Sequence, residues 1–499
     1  MRQKQIKSIL IANRGEIAIR ITRTAQKMGI QAVVIRTQKE PDALYLSQAD
    51  RIIDFPDINN GGIPEFLDIE TLVSLAVKNK IDAIHPGYGY LSENAQFATR
   101  CTEEGVIFIG PSPRIIQNMG DKVVAKEIAA KNNVPMLGGS NGSVDTLEDA
   151  MEIAKEIGFP LIIKASAGGG GRGMRVVREK SEIRQMYLSA SSEALNAFNN
   201  PSVFIEKFLE NPKHIEFQIV ADSFGNVIHL GERECSVQRK HQKLIEEAPS
   251  PALSEALREK MATAAVALAK GAGYVSLGTV EFLLDKNENF YFMEMNTRIQ
   301  VEHPVTEMIT GLDLVELQIK IANGEKLPLT QADVRLNGWA IECRINAEDV
   351  QGDFSPCIGV IKGLRMPQGE GIRIETGVVP GSEITPYFDS MFAKLIVHAK
   401  DRPTVINDTL AALDQFLVKG IRTTIPFCKS VLHNEVFRSG SFDTSFIEKD
   451  MDSLVYNEKE QALFAALLAI SDYQESNKLA PAQPEEANAW TLRNRINNM

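Results

Sequence analysis

The sequence has few of the features that mark extracellular or membrane proteins. Its five cysteines are widely spaced among 499 residues and include no Cys-x-x-Cys pair, so neither a disulfide framework nor a cysteine-rich zinc site is expected. The longest apolar run near the N-terminus is ILIA, residues 9–12, and a signal-peptide core or a membrane span needs a much longer run. These absences predict a cytoplasmic chain with reduced thiols.

The sequence also lacks an excess of basic residues. Lys and Arg number 54 against 65 Asp and Glu, which gives a net charge of -11. A protein that binds a phosphate backbone over a broad surface carries a basic footprint. We therefore expect no nucleic-acid surface, and an anionic small ligand would need a local cluster of basic groups.

Strands and helices alternate in the first part of the chain. Residues 6–37 have the pattern of strand, tight turn, helix and strand, and a second such unit follows at residues 81–110. This alternation predicts a parallel sheet with right-handed crossovers. Ligands of such sheets bind at the carboxyl ends of the strands, where residues 13–16 and 85–94 lie. Later regions carry hairpin-like strands and then short strands with Gly/Pro turns.

Four consecutive glycines, residues 168–171, lie between two strand-like runs, LIIKA and MRVV. Glycine loses more backbone entropy on folding than other residues, so this quartet needs a function. A Walker A loop would have Lys where Arg172 stands, and a dinucleotide fingerprint would open a helix rather than a strand. The pattern predicts a lid whose amides close over phosphates, with Lys164 reaching a phosphate. An exposed loop without a ligand is the alternative.

The segment GTVEFLLDKNENFYFMEMN predicts two strands joined by a turn. A hairpin centred between Asn287 and Glu288 places Glu281 across from Glu294, and side-chain alternation puts Asn296 on the same face. Opposed carboxylates repel unless a cation lies between them. We therefore expect Mg²⁺ or Mn²⁺ bridging nucleotide phosphates, with a solvated acidic hairpin face as the alternative.

Polar groups suited to anions follow and precede this hairpin. Arg298, Gln300 and Glu302 are evenly spaced, which predicts one side of an extended segment. A guanidinium holds a small planar oxyanion in bidentate fashion, and Glu302 is a candidate base toward it; a surface ion pair is the alternative. The segment QRKHQK adds three groups suited to a triphosphate, Gln238, His241 and Lys243. For a lone histidine in such a run, a surface position is the commoner explanation.

Eight motifs, in chain order, resemble the signatures of the biotin carboxylases of the ATP-grasp superfamily: IANRGEIA, HPGYGYLSEN, MGDK, KASAGGGGRGM, ENPKHIEFQ, QRKHQK, MNTRIQVEHPVTE and ECRINAED. The resemblance spans nearly all of residues 1–450. It implies a multidomain α/β and α+β fold. The implied parts are an N-terminal parallel α/β, Rossmann-like domain (1–119), an ATP-grasp domain (120–335) with a glycine-rich lid (about 135–209), a β-rich C-terminal domain (336–450) and a helical or linker tail (451–499).

The resemblance also implies roles for the matching positions. ATP contacts are expected at Lys122, Lys164, Gly170, Gly171, Glu206, Lys207, Phe208, Leu209, His214, Gln238, His241, Glu281 and Glu294, with a strand at 206–209 meeting adenine. Two Mg²⁺ or Mn²⁺ ions are expected on Glu281, Glu294 and Asn296. Bicarbonate is expected at Lys243, Arg298, Gln300, Val301 and Glu302, and biotin at Tyr88 and Arg344. Catalytic roles are expected for Lys243, Arg298, Glu302 and Arg344.

The implied activity is the ATP-dependent carboxylation of carrier-bound biotin with bicarbonate, through carboxyphosphate. The chain has no Ala-Met-Lys-Met-like acceptor sequence and no room for a carboxyltransferase, so we expect a stand-alone subunit. Expected partners are a biotinylated carrier protein, a second copy in a homodimer and a carboxyltransferase subunit, with residues 451–499 as a docking segment. The final acceptor stays open among acetyl-CoA, propionyl-CoA, a longer acyl-CoA and pyruvate.

Two rival functions remain at this point. Another ATP-grasp carbon–nitrogen ligase, of the carbamoyl-phosphate or carboxyaminoimidazole type, would share the lid and the metal carboxylates but should lack Arg344 and the β-rich C-terminal region. A non-catalytic nucleotide-binding subunit would have a damaged site, whereas all of the expected polar groups occur in this sequence.

Overall fold

The computed structural model describes residues 5–57, 62–140, 142–165, 174–198, 201–451 and 458–476. The chain divides into two compact units, Met1–Asp452 and Ser453–Met499. The glycine quartet, including Gly170 and Gly171, lies outside the described residues. All five cysteines are described, and none forms a disulfide, as predicted.

The strands, numbered in chain order, are β1 (Ser8–Ile11), β2 (Gln31–Arg36), β3 (Arg51–Asp54), β4 (Ala83–His85), β5 (Ile107–Phe108), β6 (Leu161–Ala165), β7 (Arg175–Val177), β8 (Val203–Lys207), β9 (Lys213–Ala221), β10 (Val227–Arg239), β11 (Gln242–Ala248), β12 (Ser276–Leu284), β13 (Phe290–Asn296), β14 (Trp339–Asn346), β15 (Glu348–Asp349), β16 (Ser355–Pro356), β17 (Gly359–Val360), β18 (Gly363–Arg365), β19 (Ile372–Thr376), β20 (Glu383–Ile384), β21 (Met391–Ala399) and β22 (Leu417–Lys419).

The α-helices are α1 (Gly15–Lys27), α2 (Leu44–Gln48), α3 (Ile69–Lys78), α4 (Ala95–Glu103), α5 (Pro113–Gly120), α6 (Lys122–Lys131), α7 (Leu147–Ile157), α8 (Ile183–Phe198), α9 (Glu255–Ala272), α10 (His303–Thr310), α11 (Leu314–Ala322), α12 (Arg402–Gln415), α13 (Ile425–His433), α14 (Glu435–Ser439), α15 (Phe446–Asp450) and α16 (Glu458–Ser476). Short 3₁₀ turns occur at Glu65–Leu67, Lys180–Glu182 and Gln331–Asp333.

The N-terminal sheet is parallel, as predicted, with the strand order β3-β2-β1-β4-β5. β1 lies between β2 and β4, so the strand order reverses there, and ligands of such sheets bind at this point. The loops that follow β1 and β4 meet at this edge. The Asn13 side chain donates to the carbonyl oxygens of Pro86 (2.8 Å) and Tyr88 (2.7 Å), which joins the two predicted ligand loops.

A three-stranded antiparallel sheet, in the order β7-β6-β8, carries the ends of the glycine segment. The two strands predicted to flank the glycines are therefore confirmed. The strand predicted at residues 206–209 is wrong beyond Lys207. Lys207 pairs with Leu161, the first residue of β6, and the preceding Pro160 has no N–H to continue the ladder. Phe208 instead donates its N–H to the Pro160 carbonyl oxygen, at 3.1 Å.

An eight-stranded antiparallel sheet, in the order β13-β12-β9-β10-β11-β14-β21-β19, positions the polar residues of the central region. The pairing of β11 with β14 joins strands from both sides of residue 335, the predicted boundary between the ATP-grasp and C-terminal domains. The segment HIEFQIV predicts a strand with alternating apolar and polar side chains, and β9 has this alternation. Ile215, Phe217 and Ile219 pack in an apolar core with residues of α9. Glu216 and Gln218 are also buried, on the opposite face.

Two helices differ from their predicted bounds. The sequence predicts a helix near residues 405–417, but α12 ends at Gln415 and Leu417 begins β22. The run EKEQALFAALLAI, residues 458–470, predicts a helix in the tail, and α16 extends six residues past this run, to Ser476. None of the helices that the structure describes combines the length and apolarity needed to cross a membrane.

Candidate active site

The hairpin of β12 and β13 places two carboxylates opposite each other, as predicted. Glu281 pairs with Glu294 in the ladder. The amide nitrogen of Asn296 donates to Glu281 Oε1 at 2.7 Å, so Asn296 shares the face of the carboxylates. The geometric prediction for these three residues is confirmed.

A β-bulge produces this opposition. Near the turn, Phe282 pairs with Phe292, and that register, if continued, would set Glu281 across from Met293. Glu294 would then point to the other face, because side chains alternate along a strand. The bulge adds one residue to β13 between the two pairs and brings Glu294 back opposite Glu281.

Glu281 is a buried carboxylate that accepts several hydrogen bonds. Its Oε2 lies 2.7 Å from His214 Nε2. Its Oε1 accepts from Asn296, from Gln300 at 3.0 Å and from Lys243 at 3.2 Å. Burial would raise the pKa of Glu281, but the charges of Lys243 and His214 lower it well below its ordinary value. Glu281 is therefore ionised at neutral pH.

Glu294 is in a different electrostatic position. Partial removal from water and the negative charge of Glu281 both raise the pKa of Glu294, although part of its side chain stays exposed. A divalent cation between the two groups would neutralise both carboxylates, and hard cations prefer carboxylate and amide oxygens. His214, Glu216 and Glu281 also bring one ligand atom each to within 4.8 Å of one another. The carboxylate and amide oxygens of Glu281, Glu294 and Asn296 are donors that fit Mg²⁺ or Mn²⁺.

Lys243 is the cation at the centre of the site. Its Nζ lies 2.6 Å from Glu216, 2.6 Å from Glu302 and 3.2 Å from Glu281. Burial would lower the pKa of Lys243, but the charges of the three glutamates raise it well above its ordinary value. Glu216 also pairs with the fully buried Arg233. One lysine thus joins the predicted metal carboxylate to the predicted base.

Glu302 lies where a turn leads into α10. The sequence predicts an extended segment from Arg298, but Glu302 is the N-cap of α10 with φ -82° and ψ 13°. The turn forms because the His303 N–H donates to the Gln300 carbonyl, at 3.4 Å, and Pro304 occupies the first turn of the helix. The expectation of an extended segment is therefore wrong at Glu302.

The turn directs the Glu302 carboxylate toward two cations. Its Oε1 accepts from Lys243 at 2.6 Å and its Oε2 from Arg344 Nη2 at 3.0 Å. Burial would raise the pKa of Glu302, but the charges of Lys243, Arg344 and Arg233 hold it well below its ordinary value. The group is an ionised carboxylate at neutral pH.

Arg298 is oriented by three neighbours. Its Nε donates to Glu93 at 3.0 Å, its Nη1 to Gln300 Oε1 at 2.8 Å and its Nη2 to Asn296 Oδ1 at 3.1 Å. The planar guanidinium is held by all three nitrogens, which fixes the plane in which it meets an anion. The structure therefore brings Arg298 next to Gln300 and to Asn296, one of the predicted metal ligands.

Arg344 and Tyr88 are the two positions expected at biotin, and each pairs with a glutamate. Arg344 Nε donates to Glu246 Oε1 at 2.6 Å, and Arg344 also reaches Glu302. Burial raises the pKa of Glu246 to about 7, although the charge of Arg344 acts against this rise. The Tyr88 hydroxyl donates to Glu16, and burial together with the Glu16 charge raises the pKa of Tyr88 well above its ordinary value.

One of the expected nucleotide lysines, Lys164, pairs with Glu206 at 2.6 Å, together with a second lysine, Lys126, that was not predicted. Lys122 begins α6, and partial burial and the charge of Lys164 lower its pKa. Lys207 instead donates to the Phe159 carbonyl at 2.8 Å. Phe208 and Leu209 follow the end of β8.

Gln238 and His241 lie on the hairpin of β10 and β11. Gln238 is buried and pairs with Lys243. The two turn residues, Lys240 and His241, have φ of 49° and 66°, which is the left-handed geometry of a tight two-residue hairpin turn. His241 is exposed at this tip. The hairpin therefore delivers Gln238 and Lys243 to the site, and His241 stays outside the buried cluster.

Several charged groups around the site were not predicted. They include Glu93, Lys126, Glu216, Arg233 and Glu246. For Glu216 the sequence carried a signal, because it lies between His214 and Gln218 on the polar face of an alternating strand. The others depend on which strands and helices lie side by side, and this pairing links residues far apart in the chain.

Three family models match the chain. The biotin carboxylase N-terminal domain matches residues 5–116 and the biotin carboxylase C-terminal domain matches residues 342–449. The ATP-binding domain of the carbamoyl-phosphate synthase L chain matches residues 121–330. The middle of the chain thus matches a domain named after one of the rival ligases, whereas both flanks match biotin carboxylase.

Similar proteins and solved structures cover most of the chain. A biotin carboxylase of Nostoc sp. is 52% identical over 88% of this chain and 98% of that protein. A pyruvate carboxylase subunit of Methanothermobacter thermautotrophicus is 49% identical over 88% and 89%. The crystal structure of the biotin carboxylase domain dimer of Hydrogenobacter thermophilus 2-oxoglutarate carboxylase, with MgADP, ADP and bicarbonate, has a TM-score of 0.87, 47% identity and coverage of 91% and 99%.

Proposed function

Because the chain belongs to the biotin carboxylase family, we propose that it carboxylates the biotin group of a carrier protein with ATP and bicarbonate. One observation carries the proposal. Lys243 Nζ contacts Glu302, the proposed base, and Glu281, the proposed metal ligand, at 2.6 and 3.2 Å. A bicarbonate bound beside Lys243 would therefore lie next to both the base and the metal-bound phosphates.

The first chemical step joins bicarbonate to phosphate. Glu302 takes the proton of bicarbonate, a bicarbonate oxygen attacks the γ-phosphorus of ATP, and ADP leaves with the bond electrons, which gives carboxyphosphate. Arg298 and Lys243 hold the anion for this attack, and ordered positioning is worth several orders of magnitude in rate. Mg²⁺ or Mn²⁺ on Glu281, Glu294 and Asn296 supplies charge neutralisation for the phosphates when bound.

The second step transfers carbon to biotin. Carboxyphosphate decomposes to CO₂ and phosphate, phosphate takes the N1′ proton of biotin, and N1′ attacks CO₂. Arg344 stabilises the negative charge that develops on the ureido oxygen. Arg344 contacts Glu302 at 3.0 Å, so a biotin that draws Arg344 toward itself removes one cation from Glu302 and raises the basicity of that carboxylate.

ATP binding requires groups that hold the phosphates and a lid segment that closes over them. Lys122 and Lys164 are proposed to bind the phosphates of ATP. The rest of the nucleotide is proposed to contact the Glu206–Leu209 segment, His214, Gln238 and His241. The glycines at 168–171 are proposed to close over the phosphates and to exclude water from carboxyphosphate.

The metal assignment predicts the effect of replacing Glu294. Glu294→Gln should raise the Mg²⁺ concentration that half-saturates ATP hydrolysis by about tenfold or more, since a charged ligand becomes neutral. Because the pKa of Glu294 is raised in the protein, wild-type metal affinity should fall as the pH is lowered through that raised pKa. Glu288→Gln, in the exposed turn of the same hairpin, is the control. It should leave the half-saturating Mg²⁺ concentration and its pH dependence unchanged. Equal metal dependence in the two variants would contradict the assignment.

The carrier and carboxyltransferase partners are proposed from the reaction, and the homodimer from the dimeric relative. We propose a homodimer, in the cytoplasm, that receives a biotinylated carrier protein and works beside a carboxyltransferase subunit. Residues 451–499 are proposed to dock those partners. In the described part of this segment, α16 exposes Leu463, Leu467, Ile470 and Tyr473, apolar side chains of the kind that a docking helix presents.

Bicarbonate-dependent ATP hydrolysis stimulated by free biotin tests the function. The proposal predicts little hydrolysis without bicarbonate and an increase on adding biotin. A carbamoyl-phosphate-type ligase would be stimulated by an ammonia donor and not by biotin, and a regulatory subunit would bind ATP without hydrolysing it. Arg344 beside Glu302 and the C-terminal match to residues 342–449 favour the biotin carboxylase over both rivals.

A further inference from the structure

Lys394, in β21, is a completely buried lysine to which sequence reasoning assigned no role. Its Nζ donates to the Val301 carbonyl oxygen at 2.8 Å and pairs with Glu16 Oε1 at 3.0 Å. The same nitrogen lies 5.9 Å from the centroid of the Tyr88 ring. These contacts come from three distant parts of the chain. An amine buried without water needs compensating partners, and Lys394 finds them at the site.

The contact with Val301 acts on the bicarbonate side. The Val301 carbonyl belongs to the peptide that leads into Glu302, where the chain turns into α10. A hydrogen bond to this oxygen fixes the plane of that peptide. The position of the Glu302 backbone, and with it the reach of the carboxylate toward Lys243, therefore depends on Lys394.

The contact with Glu16 acts on the biotin side. Glu16 Oε1 accepts a hydrogen bond from the Tyr88 hydroxyl, and the same oxygen pairs with Lys394. Lys394 thus holds the carboxylate that orients Tyr88. The Tyr88 carbonyl is separately held by the Asn13 side chain, so the backbone at Tyr88 has a support of its own.

Other acidic groups surround the Lys394 ammonium. Glu375, on β19, pairs with Lys394 in the ladder. Glu342, on β14, is buried, and neither of its carboxylate oxygens has a hydrogen-bond partner among the described residues. Burial raises the pKa of Glu342 well above its ordinary value, although the Lys394 charge acts in the opposite direction. Lys394 therefore supplies charge to a region rich in carboxylates.

We propose that Lys394 is a positioning residue that sets the separation between Tyr88 and the Val301–Glu302 peptide. This inference rests on the proposed function, which places biotin at Tyr88 and bicarbonate at Val301. CO₂ released from carboxyphosphate either bonds to biotin N1′ or escapes and hydrates, and escape leaves ATP hydrolysed without carboxybiotin. Lys394 holds the two subsites close enough for capture.

The ratio of ADP to carboxybiotin formed tests this role. Lys394→Met keeps the length of the side chain and removes its donor and charge. We expect the ratio to rise by about tenfold, and the KM for biotin to rise similarly, because displacements near 1 Å lower transfer strongly. The Kd for ADP should stay within about twofold of the wild-type value, since, among the described residues, Lys394 contacts Val301, Glu16 and Tyr88 and none of the expected nucleotide ligands. A purely structural role would lower activity without uncoupling.

Lys213→Met is the matched control. Lys213 Nζ donates to the carbonyl oxygens of Gly440 and Phe442 and, like Lys394 Nζ beside Tyr88, lies near an aromatic ring, 4.6 Å from the Phe442 ring centroid. Its contacts do not include Tyr88 or Val301, so the ratio should stay at the wild-type value. Equal ratios in both variants, or a wild-type ratio in folded Lys394→Met, would overturn the inference.

A second variant tests the same role in case Lys394→Met does not fold. If Lys394→Met does not fold, the double variant Lys394→Met/Glu342→Gln is assayed, because a neutral amide at position 342 leaves fewer buried carboxylates without a cation. A raised ratio of ADP to carboxybiotin in the double variant would then support the role of Lys394, and a wild-type ratio would overturn it. Wild-type protein that hydrolyses ATP without any dependence on bicarbonate would contradict the proposed function rather than the role of Lys394.

Discussion

Glu302→Gln is expected to lower kcat for biotin carboxylation by roughly 10²–10⁴-fold, the range found for the loss of a general base. Glutamine keeps the size of the side chain but takes no proton at neutral pH. It also removes the negative charge shared by Lys243 and Arg344, which bind the two oxygens of the Glu302 carboxylate. The rate is measured as acid-labile carboxybiotin formed from labelled bicarbonate, and nucleotide binding is measured by calorimetry.

The Kd for ATP should change little in this variant, because the contacts of Glu302 lie on the bicarbonate and biotin side. Glu234→Gln is the control: Glu234 is a buried carboxylate on β10 that accepts from Ser236 and Ser250. Its loss affects packing and leaves Lys243 and Arg344 paired, so kcat should stay near the wild-type value. Full turnover in Glu302→Gln would contradict the role of the base.

Arg298→Ala is expected to abolish measurable carboxylation, and Arg298→Lys should lower kcat/KM for bicarbonate by about 10²–10³-fold. Lysine keeps the charge but not the planar fork, so it cannot satisfy Glu93, Gln300 and Asn296 together as Arg298 does. The anion would then bind without a fixed orientation. Initial rates over a range of bicarbonate concentrations measure this effect.

Arg100→Ala separates this effect from a general loss of positive charge. Arg100, on α4, also pairs with several carboxylates, those of Glu70, Glu103 and Glu104. These are surface pairs, which contribute little to stability, and bicarbonate kinetics should be unchanged. If Arg298→Lys had the same KM for bicarbonate and the same kcat as the wild-type protein, Arg298 would not bind the anion.

The local pattern of the sequence predicts the elements well, because hydrophobic periodicity is a local property. The parallel sheet, the strands beside the glycines and the alternation in β9 all follow from it. The opposition of Glu281 and Glu294 is predicted from a hairpin centred between Asn287 and Glu288. In the structure the register near the turn is centred on Asn287, and a bulge restores the pair.

That bulge has no clear signature in the sequence, since its extra residue is an ordinary methionine rather than glycine. The prediction for Glu302 is wrong for a related reason. Even spacing suggests an extended segment, but Pro304 and the bond from His303 to Gln300 begin a helix there. Where a helix begins directly after such a turn, the turn sets the backbone conformation, and the side-chain alternation of an extended segment ends there.

The charge network around the site depends on contacts between distant segments. Glu246 faces Arg344 because β11 and β14 are neighbours, although almost a hundred residues separate them. Lys394 reaches Glu16 across the sequence in the same way. Motif spacing identifies residues within one segment, whereas the partners that set their pKa values come from others, and these become visible only in the folded chain.

The stoichiometry of ADP, phosphate and carboxybiotin, measured with labelled bicarbonate and free biotin, tests the central claim that one buried site uses ATP and bicarbonate together. We predict that all three products form only when ATP, a divalent metal and bicarbonate are present, and that label appears in biotin. Folded, ATP-binding protein that forms ADP equally well without bicarbonate, or leaves biotin unlabelled, would contradict it.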